Sequence, residues 1–169
     1  TPGAGKTTLI RALAARGFPV IEEAATEVNA RMLARGIAHP HLEPDFLDAI
    51  AQLQAQRLQD ASAVPGVQIH DRSIFCTIAL AEHLCRPLSP GLSREAERLA
   101  AECAFEPRVF FIRNLGFIEP TPIRRISFED ALAFERTHRA VYRRFGFDLV
   151  EVPAMEISAR LALITTQLR

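Results

Sequence analysis

Apolar positions along this chain switch repeatedly between helical and strand periods. Leu9, Ile10, Leu13 and Ala14 recur at helical spacing, directly after a glycine-containing turn, and Gly17 stops the pattern. Phe18-Pro19-Val20-Ile21 reads as a short buried strand that ends at Glu22-Glu23. Residues 24–35 are helical again, with Gly36 as the C-cap, and 39–44 form a loop. Asp45 then caps a long helix to about residue 60, with Phe46, Ile50, Leu53 and Leu58 on its inner face. After Pro65-Gly66 comes a strand over 67–70 that ends at Asp71-Arg72-Ser73. Helices follow over about 73–85 and 93–104, separated by a Pro/Ser/Gly loop, and 108–113 is a third strand. A loop over 114–126 leads to Ser127, which caps the next helix with Asp130 in the box position. That helix ends near Gly146, before a last strand over 147–152 and a C-terminal helix.

Strands alternating with helices predict one α/β domain over 1–169, built on a parallel sheet with helices on both faces. Four strands are visible, and a strand feeding the first glycine turn would make five. Ligands of such sheets bind at the carboxyl ends of the strands. The first turn, Glu22-Glu23, Asp71-Arg72, and Arg113 with its following loop all fall at such ends, on one edge of the sheet.

The first turn carries the most specific motif. Thr1-Pro2-Gly3-Ala4-Gly5-Lys6-Thr7 fits the end of G-x-x-x-x-G-K-[ST], the phosphate-binding P-loop. The motif's first glycine and its strand would precede Thr1, so the chain reads as a piece of a longer one. Among twenty Lys and Arg residues Lys6 is the single lysine. A compact ammonium reaches between phosphates where a planar guanidinium would not fit. Pro2, Gly3, Ala4 and Gly5 leave room for backbone N–H groups to curl around the phosphates, and the following helix points its positive end at them. Thr7 offers its hydroxyl to Mg²⁺, and Thr8 packs or caps. Binding of ATP or GTP with Mg²⁺ is the expectation.

Composition narrows the class. The 169 residues, 49% of them hydrophobic, suit one folded domain, and a formal net charge of zero argues against a nucleic-acid partner. No apolar run approaches membrane-spanning length and no secretory signal is visible, so no membrane insertion and a cytoplasmic location are expected. Cys76, Cys85 and Cys103 lack a C-x-x-C pairing and read as buried, reduced thiols.

Asp71 can complete the magnesium shell or contact a substrate hydroxyl, and Arg72 can hold substrate or a transferring phosphate. The plain alternative is an Asp-Arg pair opening a helix. Either Glu22 or Glu23 can accept a proton from an attacking hydroxyl. Side chains alternate along a strand, so one of the two should face the cleft, and Glu23, which opens the next helix, is favoured. Arg124 and Arg125 sit in a loop suited to a lid that neutralises developing charge. Arg113 is a weaker candidate, as are Gln52, Gln56 and Arg57 as the floor of an acceptor pocket. His138 reads as a satisfied core or edge histidine, and His39, His41 and His70 carry no role.

In order along nearly the whole chain, the P-loop, Val20-Ile21-Glu22-Glu23-Ala24-Ala25, Asp71-Arg72-Ser73, Ile123-Arg124-Arg125-Ile126-Ser127, Phe134-Glu135-Arg136-Thr137-His138 and Gly146-Phe147-Asp148 through Pro153 resemble the small AAA-type P-loop domain family. That family is related to the ribosylnicotinamide kinase domain of the NAD-biosynthesis regulator, and more distantly to deoxynucleoside and thymidylate kinases. The resemblance implies a kinase-like core with strand order 2-3-1-4-5 and a lid before the sixth helix. It matches Glu23 to the acid after strand two, Asp71-Arg72 to the acid-arginine pair after strand three, and Arg124 or Arg125 to the lid arginine. A phosphotransferase acting on a small nucleoside-like acceptor is therefore expected. Its rivals are a nucleotide-hydrolysing switch and a nucleotide-dependent phospholigand binder.

Overall fold

The computed structural model describes residues 4–115 and 127–168. Pro2 and Gly3 of the P-loop, and Arg124 and Arg125 of the expected lid, lie outside the described residues. The elements run α1 (Lys6–Ala14), β1 (Val20–Ile21), α2 (Ala24–Ala34), a 3-10 turn (Pro40–Leu42), α3 (Phe46–Ala61), β2 (Ile69–His70), α4 (Ile74–His83), α5 (Pro90–Ala101), β3 (Arg108–Ile112), α6 (Phe128–Arg144), β4 (Asp148–Val152) and α7 (Ile157–Gln167).

Several boundaries follow directly from local chemistry. Gly36 takes φ +85 past the end of α2, where its N–H bonds Leu33 O and the N–H of Ile37 bonds Met32 O. This six-to-one closure needs a left-handed residue, which glycine supplies without a Cβ penalty. Ser127 Oγ accepts from the N–H of Asp130 at 3.0 Å, the cap its sequence predicts. Asp45 stands before α3 but makes no side-chain cap bond.

Three expectations need correction. The α5 helix begins at Pro90 rather than 93, because Ser89 Oγ accepts from the N–H of Leu92 at 3.1 Å and a proline at the first position has no N–H to lose. Strands β1 and β2 are two residues each. The N–H of Phe18 is spent on Leu13 O at the end of α1, and Pro19 has none to offer. Val67 is 48% exposed, and the Gln68 amide instead ties this segment to Ala61 O and Val64 O at the end of α3. Cys85 and Cys103 are exposed rather than buried, both in left-handed backbone just past helices.

The strands form two parallel pairs. Val20 faces Ile69 and Ile21 faces His70, with further bonds from Ile69 N to Pro19 O and from Asp71 N to Ile21 O. In the second pair Arg108 faces Asp148 and the register continues to Ile112 against Val152. Alternation along β3 and β4 separates two cores. Phe110, Ile112 and Val152 pack with Leu9 and Leu13 of α1 and with Leu161 and Ile164 of α7. On the other face Val109 and Leu149 pack against a cluster from α4, α5 and α6. The centre of that cluster is Phe75, fully buried, with ring centroids of Phe147 and Phe145 at 4.8 and 4.9 Å. Helices therefore cover both faces of β3–β4, as parallel strands require. Among the described residues no helix is long and apolar enough to cross a membrane.

Candidate functional site

At the entry to α1, Ala4 is buried and Gly5 adopts φ +71, ψ 19. Lys6 is the first helical residue. No described side chain caps this helix and its first turn carries no acid, so neither competes for its N-terminal dipole. Thr7 and Thr8 are exposed on that turn. Burial, with Arg72 adding to it, lowers the Lys6 ammonium to about 8, against the opposing pull of Asp71 and Glu23. Lys6, Asp71, Arg72 and Glu23 thus share one electrostatic neighbourhood.

The parallel register explains why. Ile21 and His70 are partners, so the chain leaves both strands at the same level. Glu22 is exposed and Glu23 is half-buried. The Glu23 carboxylate forms an ion pair with Arg72 Nε, and its other oxygen accepts from Thr26 Oγ1 at 2.8 Å. Burial pushes the Glu23 carboxyl upward, but Arg72, Thr26 and Lys6 together hold it below the ordinary carboxylate value. Asp71 goes the other way: burial raises it, and Lys6 and Arg72 only partly offset that. Burial opposes the Arg72 charge, yet Glu23, Cys76 and Asp71 outweigh it and hold the guanidinium protonated.

Arg72 has φ +75, a left-handed conformation uncommon outside glycine and costly for a long side chain. Its side chain is fixed from two directions. Glu23 takes Nε, and His138 Nε2 accepts from Nη1 at 3.3 Å. The tautomer of His138 follows from its other contact. Nδ1 lies 2.9 Å from Phe134 O, which can only accept, so Nδ1 carries the proton and Nε2 is a lone pair. Burial, then the charge of Arg72, pushes His138 down to about 2. Its ring is a satisfied core group, as its sequence predicts, and it also positions Arg72. Below it Tyr142 Oη bonds Ser73 Oγ at 2.9 Å and Cys76 Sγ at 3.1 Å.

Glu23 and Arg72 border a cavity of about 170 Å³ between α2, α3, α4 and α6. Ile50, Leu80 and Phe134 supply apolar walls, and Gln54, Cys76 and Thr77 supply polar atoms. Gln54 Oε1 accepts from Thr77 Oγ1 at 2.8 Å, which fixes the orientation of the amide. The α3 residues expected here sit elsewhere: Arg57 donates to Glu22 O at 2.7 Å and pairs with Glu27, while Gln56 bonds Asp60. Gln54, four residues after Ile50, was legible only as a member of the inner face. Arg113 is engaged by Glu135 at 2.8 Å and Glu151 at 3.3 Å, away from the cavity.

Among the described residues no three His, Cys, Asp or Glu side chains cluster to hold a metal ion. The oxygens of Thr7 and Asp71 suit Mg²⁺, which keeps several waters and takes one or two protein ligands beside phosphate.

A comparison with curated proteins found no match. A family model described as an AAA domain matches residues 1–160, a span that runs from the P-loop through both strand pairs into α7. The match covers the left-handed Gly5, the lysine-headed helix that follows it and the parallel strand pairs, and the chain belongs to the AAA domain family of nucleotide-binding P-loop proteins.

Proposed function

We propose that the protein is an Mg²⁺-dependent phosphotransferase that moves the γ-phosphoryl group of ATP to a hydroxyl of a small nucleoside-like acceptor. The observation that carries this reading is the cavity itself. It is walled by Glu23 and Arg72, and the same two residues share the electrostatic neighbourhood of Lys6. A site for hydrolysis alone needs no second, partly apolar chamber beside the phosphate cradle.

In this reading Lys6 and the loop N–H groups hold the triphosphate, and Thr7 and Asp71 would hold Mg²⁺. The charge neutralisation that Mg²⁺ would supply there lowers the cost of bringing a nucleophile to the triphosphate. The acceptor hydroxyl oxygen bonds to the γ-phosphorus as the bond to the β–γ bridging oxygen breaks, and the hydroxyl proton passes to Glu23. Ion-paired to Arg72, Glu23 is a weak base, which suffices because phosphoryl transfer draws most of its acceleration from positioning and charge neutralisation. Arg72 faces the acceptor or the transferring group. Arg124 or Arg125 takes the lid role on the resemblance to kinases alone. The pairs β1–β2 and β3–β4 match the 2–3 and 4–5 neighbours that the order 2-3-1-4-5 would contain.

The test is ADP release from Mg-ATP by the full chain across a nucleoside and metabolite panel that includes nicotinamide riboside. Acceptor-specific stimulation is expected, lost in Lys6→Ala together with ATP binding, and lost in Glu23→Gln with ATP binding spared. A flat panel with intact ATP binding refutes transfer and favours a nucleotide-hydrolysing switch or a phospholigand binder.

A further inference from the structure

Arg160 lies in the first turn of α7, far from the P-loop in sequence, and it is 2% exposed. A buried guanidinium ordinarily faces a carboxylate. This one faces three backbone carbonyls, each from a different segment. Nη1 donates to Ala4 O at 2.7 Å, Nη2 to Arg113 O at 2.8 Å, and Nε to Pro153 O at 2.7 Å. Arg113 immediately follows β3 and Pro153 immediately follows β4, so one planar fork ties the P-loop to the carboxyl ends of both strands.

The bond to Ala4 O bears on phosphate binding. In a trans peptide the C=O and the following N–H point in opposite directions. Drawing the Ala4 carbonyl toward Arg160 therefore turns the Gly5 N–H to the other side of the loop. The approach is close: a Cβ placed on Gly5 would lie 3.4 Å from Nη1. Burial lowers the guanidinium pKa, but an arginine remains charged through the neutral range, so the fork also sets a fixed positive charge under the loop. A lysine ammonium also has three donors, but all on one nitrogen, so it cannot span carbonyls spaced to meet the three separate nitrogens of the fork.

We infer that Arg160 is a positioning residue for triphosphate binding, which it serves by holding the P-loop peptide with its N–H turned to the phosphates. The inference rests on the nucleotide-binding reading of that loop.

Arg160→Lys and Arg160→Met are compared with wild type by titrating Mg-ATP, Mg-ADP and adenosine, with far-UV circular dichroism confirming the folded fraction. In folded variants the affinity for Mg-ATP and Mg-ADP is expected to fall about tenfold or more, and that for adenosine to stay put. Lys is expected to recover less than half of the logarithmic loss. A role in stability alone lowers the melting temperature and leaves the affinity of the folded fraction unchanged, and that result overturns the inference. If neither variant folds, the question is read in wild type from the Arg160 Nε–H resonance. A shift with Mg-ATP but not with adenosine supports the inference, and no shift overturns it. Wild type that binds no nucleotide overturns both the nucleotide reading and this one. Wild-type binding with unaffected variants overturns this one alone.

Discussion

His138 makes stability depend on pH in a way that can be calculated. Folded, its ring is neutral, with Nδ1–H on Phe134 O and Nε2 facing Arg72, and its pKa is pushed down to about 2. Burial is the main cause, and the positive charges of Arg72 and, more weakly, Lys6 add to it. Unfolded, it takes up a proton near pH 6.5. The depressed pKa gives the sign: below pH 6.5 the unfolded chain binds a proton that the native state refuses, so stability is lost as pH falls. The loss approaches 1.4 kcal/mol per pH unit and amounts to about 3 kcal/mol between pH 7.5 and 4.5. The perturbation is His138→Gln, which keeps a neutral hydrogen-bonding side chain and removes the titration. Urea unfolding of both proteins across this range is the assay. Subtracting the two curves cancels the carboxylates and the other histidines. Wild type should lose about 3 kcal/mol more than the variant between those pH values. Parallel curves, or a His138 ring resonance titrating near 6.5, would refute the buried, neutral ring on which this reasoning rests.

Two further outcomes test the scaffold. Gly5→Ala places a Cβ at φ +71 and 3.4 Å from Arg160 Nη1; it should cost about 1–2 kcal/mol in urea unfolding and weaken fluorescent-nucleotide binding, and an unchanged affinity would contradict the loop geometry. Phe75→Ala empties the centre of the α4–α6 core and should cost about 3–5 kcal/mol, with thermal unfolding as the readout.

What the chain reveals without coordinates is the chemistry that depends on local order. The P-loop turn, the Ser127 cap and the Gly36 stop are each set by neighbours a few residues away. The convergence of Glu23 with Arg72 was also readable, because parallel strands release their following residues at one edge. The contacts that hold Arg72 were not. His138 lies 66 residues away, and its helical stripe could say only that it faces inward. Arg160 carried no signal at all, one arginine among nineteen, meeting a backbone carbonyl 156 residues distant. Carbonyl partners leave no trace in side-chain composition. The overlong β1 and β2 expectations failed for a related reason: an apolar run does not say which N–H groups are already committed elsewhere.

The solitary lysine has a consequence for labelling chemistry. An amine with a pKa of about 8 is unprotonated in about a quarter of molecules at pH 7.5, against about one in a thousand for an ordinary lysine. The free amine is the nucleophile, and Lys6 is the one side chain of the 169 residues that can present it. An acylating reagent should therefore mark a single side chain, and phosphate seated in the loop should slow the marking by holding that amine protonated. Occupancy of the cradle then becomes readable by mass from the adduct on the Lys6 peptide after digestion.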